Sequence, residues 1–438
     1  MEELLPKVLI VSRGVWDDTK GTSSTLTNIF EDYDPARLAH IFIETKQPNT
    51  RCCYQFFQIS EISLVHKLWR WKLQTGHTID TRKEACLKVS DRVAAQESGA
   101  MDFVRAHRSP VYSLMREILW GFNGWKSKEL DSFIRGFDPD VIWLDGSPLP
   151  LMNRLFHYVL SVAKKPASIF MQDDVYTYAS VRGGIGSRIR KSIIRRTVRR
   201  VVSQCSNMFV ASPKMKKEYD EIFGINSIFI AKSFHLDNCE FKPFVVHSPV
   251  RLVYLGQIIY GRIKTLVSIA EAMADINSEG VSLQLSIYTN NRIESSDRLR
   301  LLDHDNVFIK DPVAYSEVPA VIADNDVVVY VETFEPKDNK VARLSFSTKI
   351  SDYLRSGKCV FAIGPSDIAP IEYFKDEDAA IVSTSIEGIK ESLIQLSDSV
   401  LVNKYAEKAY DCALRNHNRD EMNKLIYGTI VKISKTHV

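Results

Sequence analysis

The stretch from Leu344 to Pro365 holds the side chains whose types and spacing best suit chemistry. Small hydroxyl residues of the kind that begin a helix lead into it: Ser345, Ser347 and Thr348. A helix N-terminus offers unpaired backbone amides, and Lys349 beside it makes a site for an anion such as phosphate. Asp352, about one turn further on, is a carboxylate that suits the two hydroxyls of a ribose. The stretch predicts a nucleotide diphosphate site, and an ordinary helix–strand unit with a surface lysine is the alternative.

The elements that must position these side chains follow from the local pattern. Residues 349–356 are predicted to be a helix, because Ile350, Tyr353 and Leu354 recur at the spacing of one helical face. Gly357 suits the left-handed position at the helix end. The apolar run from Cys359 to Ile363 then predicts a buried strand.

A second candidate set follows the predicted strand from Ser168 to Met171, where Gln172 leads into Asp173 and Asp174. Ligands of open α/β sheets bind at the carboxyl ends of the strands. Two adjacent aspartates at such an end are candidates for a catalytic base or for orienting an acceptor. Helix capping by the same side chains is the alternative interpretation.

The chain opens with a predicted strand, Lys7 to Ser12, a loop that contains Gly14 and Gly21, and a helix begun by the hydroxyl run from Thr22. This order is typical of a Rossmann-like unit, although the GxGxxG dinucleotide motif is absent. Gly21 would let a ligand approach the helix end, and a plain tight turn explains it equally well.

The αβ pattern predicts two halves. Residues 1–238 form the first and 249–414 the second, and a stretch without periodicity, 234–248, resembles a linker. The last helix, 415–438, is expected to pack back on the first half. In the second half a strand from Val250 to Leu255 precedes a loop, 256–264, that contains Gly256, Arg262 and Lys264. Residues 52–132 are predicted to be helical. The fold class is therefore α/β with two Rossmann-like domains.

Composition is ordinary for a globular protein of 438 residues, with 45% hydrophobic and 25% charged residues. The net charge of +3 does not argue for nucleic acid, and no run is long enough to span a membrane. The seven cysteines lack metal-site spacing, which favours reduced thiols in the cytoplasm. No metal is expected.

The segment from Ser187 to Val202 carries seven lysine and arginine residues beside apolar residues at helical spacing. It predicts a helix whose cationic face is either simply solvated or meets an anionic lipid surface. Tryptophans that would add interfacial anchoring lie earlier in the chain, and helices packed over a sheet edge explain them as well: Trp69, Trp71, Trp120 and Trp125.

The chain resembles GT-B-fold glycosyltransferases, and within them family-four-type enzymes of bacterial capsule and O-antigen polysaccharide synthesis. The segments that carry the resemblance are PVRLVYLGQIIYGRIK, NVFIKDPVAYSEVPAVIADNDVVV, SFSTKISDYLRSGKCVFAIGP, FDPDVIWLDG and MQDDVY. It implies a cytoplasmic enzyme that moves a sugar from a nucleotide diphosphate sugar to an acceptor hydroxyl, with retention. The implied acceptor is lipid-linked or an oligosaccharide, and the resemblance implies peripheral contact with the membrane surface, no cofactor and no nucleic acid.

The resemblance also implies roles for single residues. Arg262 and Lys264 would neutralise the diphosphate as the sugar leaves, and Asp173 and Asp174 would face the acceptor. The donor-binding residues would be Gly256, Asp311, Val313, Ser347, Thr348, Lys349 and Asp352. Gly21 and Thr22 would lie on the acceptor side.

One departure bears on catalysis. The resembled enzymes have two glutamates eight positions apart, and this chain has Leu344 and Asp352 there. Glu332 and Glu335 are candidates for the missing first carboxylate. The rival hypothesis is a non-catalytic partner that binds a nucleotide sugar in a polysaccharide assembly complex.

Overall fold

The computed structural model describes residues 4–18, 24–70, 72–83, 110–181, 184–235, 240–302 and 304–436. Gly21, Thr22 and Trp71 lie outside these residues, so the structure gives no account of them.

The first half is built on an eight-stranded sheet in the order β4-β3-β2-β1-β5-β6-β7-β8, in which only β4 runs antiparallel to its neighbour. Its strands are β1 (Val8–Val11), β2 (Leu38–Phe42), β3 (Gln55–Ile59), β4 (Gly76–Asp80), β5 (Val141–Asp145), β6 (Ala167–Met171), β7 (Asn207–Val210) and β8 (Ile228–Phe229). The central strands are apolar on both faces because helices cover both sides of a parallel sheet.

The second half is built on a six-stranded, fully parallel sheet in the order β11-β10-β9-β12-β13-β14. Its strands are β9 (Val250–Leu255), β10 (Leu283–Tyr288), β11 (Val307–Lys310), β12 (Val327–Val331), β13 (Cys359–Ile363) and β14 (Ile381–Ser383). Strands β9, β12 and β13 are adjacent, so their carboxyl ends meet at one edge.

Helices connect these strands. In the first half they are α1 (Ser24–Phe30), α2 (Glu61–Lys67), α3 (Pro110–Gly121), α4 (Lys128–Phe137), α5 (Pro150–Ala163), α6 (Ile185–Val202) and α7 (Pro213–Phe223). In the second half they are α8 (Arg262–Ser278), α9 (Ser295–Leu302), α10 (Val318–Ala323), α11 (Pro336–Ala342), α12 (Lys349–Leu354), α13 (Ala369–Asp376), α14 (Ile389–Gln395), α15 (Ser399–Asn416) and α16 (Arg419–Lys435). Among the described residues, no helix is both long and apolar enough to cross a bilayer.

The last helix joins the two halves. Met422, Ile426, Ile430 and Ile433 of α16 belong to the apolar cluster on one face of the first sheet. Side chains at this spacing form one apolar face of a helix, and this face of α16 packs against the first sheet.

The helical prediction for residues 52–132 is wrong in part, because β3 and β4 lie within it. The short run QFFQI of β3 alternates over too few residues to distinguish a strand from a helix. Two predicted membrane anchors are also excluded, since Trp120 and Trp125 are 0% and 1% exposed. The indole nitrogen of Trp120 donates to Glu61 (2.7 Å), and that of Trp125 donates to the Trp120 carbonyl (2.9 Å).

Candidate functional site

Lys349 lies at the edge of the second sheet where β9 ends. Its ammonium donates to the carbonyl oxygen of Leu255, with the two atoms 2.8 Å apart. Its pKa is lowered to about 8, first by burial and then by repulsion from Arg262, which attraction to Glu332 partly offsets. Because its bonded partner is a carbonyl, no bonded carboxylate offsets the positive charge of the ammonium towards an anionic ligand.

Gly256 makes room for this ammonium. Its backbone has a φ of +149°, and an added Cβ would lie 1.7 Å from the Lys349 nitrogen. The glycine is therefore required both by its conformation and by the approach of the lysine. The predicted donor-site pair of Gly256 and Lys349 is brought together in the structure.

Arg262 forms a two-pronged ion pair with the buried carboxylate of Glu332, at 2.9 to 3.2 Å. Glu332 follows β12 and also accepts a hydrogen bond from the Tyr330 hydroxyl (2.7 Å). Arg262 begins helix α8, because Gly261 with a φ of +76° ends the preceding loop. The predicted loop 256–264 is thus three residues too long, since the helix starts at Arg262.

Lys264 has a different environment from Arg262. Its ammonium pairs with Glu335 at 2.9 Å, and both side chains are exposed. Residues two apart on a helix point in different directions, so the two predicted catalytic cations have separate partners. The structure brings Arg262 close to the Lys349 centre and places Lys264 at the surface.

Asp352 lies within α12 and is paired with a lysine that sequence reasoning missed. The ammonium of Lys232 is 2.8 and 3.0 Å from the two carboxylate oxygens, and it also donates to the hydroxyl of Tyr315 (2.6 Å). Arg355 is a more distant second partner of Asp352 at 3.8 Å. No motif marked Lys232, because it lies in the irregular chain just after β8.

The remaining predicted donor residues are less constrained. Asp311 is exposed, and Val313 is half-buried against the apolar cluster that includes Ile350. The Ser347 hydroxyl accepts a long hydrogen bond from the amide of Lys349 (3.4 Å). Thr348 occupies the helix cap position, but its side chain makes no capping hydrogen bond.

The carboxylate of Asp174 is held within the turn that follows it, although the cap position of the next short helix is Thr177. Its carboxylate is buried and accepts from the amides of Tyr176 (3.2 Å) and Thr177 (2.8 Å), from the Thr177 hydroxyl, and from the Tyr219 hydroxyl (3.2 Å). Three of these bonds go to one carboxylate oxygen and one goes to the other, which favours a structural role, and a catalytic role for Asp174 stays a prediction.

Asp173 instead faces the second half, where its carboxylate accepts from the Ser345 hydroxyl (2.7 Å). A neighbouring carboxylate, Asp145, ends β5 and accepts from the side-chain amide of Gln172 (2.6 Å). Burial raises the pKa of Asp145 to about 7, the bond from Gln172 lowers it, and the charge of Asp173 raises it. The signal that was missed is an acid at the last position of a buried strand.

Leu344 is fully buried and belongs to the apolar core of the first half. Its carbonyl accepts from the Ser212 hydroxyl (2.9 Å), and the preceding Arg343 forms an ion pair with Glu218 that includes a contact of 2.7 Å. Lys214 pairs with Glu372 beside them. The position where the resembled enzymes have a glutamate is here a contact between the two halves.

No protein-family model matches the sequence, and no curated protein matches it. Among solved structures, HepE of Anabaena in complex with UDP is 11% identical with a TM-score of 0.60, over 97% of this chain and 100% of HepE. Sucrose-phosphate synthase of Thermosynechococcus elongatus is 10% identical with a TM-score of 0.61, over 98% and 99%.

TarM is 13% identical with a TM-score of 0.51, and the match covers 72% of this chain and 58% of TarM. At these identities the similarity shows the fold alone. It confirms the prediction of two Rossmann-like domains in the GT-B arrangement.

Proposed function

We propose that this protein is a glycosyltransferase that moves a sugar from a nucleotide diphosphate sugar to an acceptor hydroxyl. The observation that carries the proposal is the ammonium of Lys349, which lies at the carboxyl ends of the second sheet with a carbonyl and not a carboxylate as its bonded partner. Ligands of open α/β sheets bind at this edge. Solved proteins of the same fold were determined with UDP and UDP-glucose, which supports a nucleotide sugar as donor.

The chemical requirement of this reaction is a stabilised leaving group. As the bond between the sugar carbon and the diphosphate oxygen breaks, the diphosphate gains negative charge. Lys349 would meet that charge directly, and Arg262 would share in it from its fixed position on Glu332. We therefore propose a donor site that needs no metal ion and no cofactor, with Asp352 on the ribose and Val313 beside the base.

Titration calorimetry with UDP and UDP-glucose tests the donor site. Lys349→Met should weaken UDP about tenfold or more, because it removes a charge-assisted contact of roughly 1.5–3 kcal/mol. Lys358→Met is the matched control, since Lys358 is also half-buried and lies over the Phe244 ring at 4.2 Å. Equal affinities in the wild type and both variants would contradict the donor site.

We propose that the acceptor is lipid-linked or a surface polysaccharide, as in the family-four-type enzymes that the sequence resembles, and that the anomeric configuration is retained. Asp173 contacts Ser345 of the second half, and the half-buried Asp145 lies near Asp173 through its bond with Gln172, so both would lie on the acceptor side. Turnover of a panel of nucleotide sugars with lipid-linked acceptors tests this, and NMR of the product gives the configuration.

We also propose that α6 meets an anionic membrane from the cytoplasmic side. The helix has no acidic residue, and Ile185, Ile189 and Ile193 are 79%, 58% and 53% exposed. Arginines on the same exposed face flank them: Arg188, Arg190, Arg196 and Arg200. The exposure of Ile189 and Ile193 supports insertion among lipid head groups. Lys191, Arg195 and Arg199 are held by the protein instead, and the exposed Arg200 also donates to the His157 imidazole (2.9 Å).

The second candidate is a non-catalytic nucleotide-sugar-binding partner of a polysaccharide assembly complex. Leu344 favours it, because that residue is buried in the first half where related enzymes have a carboxylate. Tight donor binding without turnover of any sugar in the panel would support this candidate over the enzyme.

A further inference from the structure

A lysine of the first half reaches into the site expected to hold the nucleoside. Lys232 lies just beyond β8, yet its ammonium contacts both oxygens of Asp352 in α12. The two side chains are 13% and 14% exposed, so water screens this pair less than a surface pair.

The segment that carries Lys232 is fixed along its length. The Lys232 carbonyl accepts from the imidazole of His417 (2.9 Å), and the Ser233 carbonyl accepts from Arg419 (3.2 Å). The guanidinium of Arg355 stacks on the ring of Phe234 at 3.7 Å. The backbone at Lys232 and Ser233 is therefore anchored, and the contacts with Asp352 and Tyr315 hold the Lys232 ammonium in place.

The third contact of the ammonium points towards the region expected to bind the base. The hydroxyl of Tyr315 accepts from Lys232, and Tyr315 lies two residues after Val313 in the short turn Tyr315–Glu317. The Lys232 ammonium thus contacts both Asp352, the proposed ribose contact, and Tyr315, which lies near the proposed base contact.

We propose that Lys232 is a positioning residue that fixes the Asp352 carboxylate for the ribose hydroxyls and so selects ribonucleotides over 2′-deoxyribonucleotides. A carboxylate has about four lone-pair sites, so one bond from Lys232 to each oxygen leaves one site on each oxygen for a hydroxyl. The inference rests on the proposed donor site and adds its sugar specificity.

Lys232 has two effects on a bound nucleotide. It holds the carboxylate plane, so that both hydroxyl contacts form without reorganisation. It also offsets the negative charge of Asp352, which would otherwise repel the donor diphosphate. Without Lys232, the remaining cation is Arg355 at 3.8 Å, and the carboxylate would turn towards it.

The test compares UDP with 2′-deoxy-UDP by titration calorimetry. The wild type should bind UDP about tenfold or more tightly, because a site that hydrogen-bonds a hydroxyl discriminates against an analogue without it. Lys232→Met should lower this ratio to about threefold or less, and Lys232→Arg should restore most of it. Lys408→Met, which removes an exposed pair with Asp378, should leave it unchanged.

Tyr315→Phe gives a second reading that does not depend on the stability of the Lys232 variants, because Tyr315 is 71% exposed. It removes the hydroxyl that accepts from the Lys232 ammonium, and it should lower the ratio of UDP affinity to 2′-deoxy-UDP affinity about twofold. An unchanged ratio in Lys232→Met, or in Tyr315→Phe where Lys232→Met does not fold, would overturn the proposal.

Asp352→Asn separates this inference from the proposed donor site. If that variant binds both nucleotides as the wild type does, the ribose contact itself is wrong and the inference fails with it. If it loses the discrimination while Lys232→Met keeps it, the donor site stands and only the role of Lys232 is refuted.

Discussion

Replacing Gly256 by alanine should move the Lys349 ammonium out of the donor site without moving the backbone. The new Cβ would lie 1.7 Å from Nζ of Lys349 and 3.0 Å from its Cε. The three atoms nearest to the new Cβ all belong to the lysine side chain. Because the clash falls on the end of a flexible side chain, the lysine should turn away and the fold should survive.

The expected cost has two parts. A non-glycine residue at a φ of +149° costs roughly 1–3 kcal/mol. The second part is the lost bond between the ammonium and the Leu255 carbonyl, roughly 1.5–3 kcal/mol, less the free energy gained when the buried charge returns to water. Gly280→Ala is the matched control, because Gly280 has a φ of +101° and an added Cβ there meets no atom within 4 Å. Urea unfolding of both variants should therefore differ by the second part alone.

The pH dependence of UDP binding gives an independent measurement. In the wild type the pKa of Lys349 is lowered to about 8, mainly by burial, so UDP affinity should be full at pH 7 and fall as the pH rises above 8. In Gly256→Ala the displaced ammonium returns to water, where its pKa rises and the dependence between pH 8 and 10 should flatten, with affinity at pH 7 about tenfold lower. If Gly256→Ala matches Gly280→Ala in stability, affinity and pH profile, the ammonium is not where the structure places it.

Four other perturbations distinguish the proposed roles. The carboxylate charge of Glu332 fixes Arg262 and favours the protonated form of Lys349. Glu332→Gln removes this charge, so the pH midpoint of UDP binding should fall below about 8 in calorimetric titrations. Lys264→Ala should change donor affinity less than about threefold, since its pair with Glu335 is exposed. Turnover should persist in EDTA; loss that magnesium or manganese reverses would refute the metal-free donor site. In liposome flotation, the wild type should bind anionic vesicles, bind them less in high salt, and not bind neutral vesicles, and Ile189→Glu should not bind anionic vesicles. A wild type that stays unbound on anionic vesicles at low salt refutes docking.

The parallel sheets were predictable because their strands are short, doubly apolar and bounded by glycine or proline. The run from Val250 to Leu255 was predicted with the same bounds that the structure has. The pair β3 and β4 was not, because their sequences, QFFQI and GHTID, contain polar residues and lack this continuous apolar pattern. The start of α8 at Arg262 was also missed, since only the positive φ of Gly261 shows where the loop ends.

The donor site was predictable to the extent that its residues are neighbours in sequence. Lys349 and Asp352 share one short helix, and Gly256 ends a strand that was recognised. Lys232 lies 120 positions from Asp352 in sequence, so only the folded arrangement joins them. An aspartate such as Asp174 can serve equally as a base or as a cap, and the hydrogen-bond donors that surround it in the fold determine which role it has.

The charges of the named residues decide which of them a diphosphate meets. Arg262 is neutralised by a buried glutamate, and Lys264 by an exposed one. The Lys349 ammonium is bonded to a carbonyl, so its charge is not cancelled by a bonded carboxylate. An ion pair attracts a third charge only through the difference between its two ends, and this attraction falls off faster with distance than that of a single charge. The contribution to donor binding should therefore decrease from Lys349 to Arg262 to Lys264, although the sequence marked Arg262 and Lys264 as the residues that neutralise the leaving diphosphate.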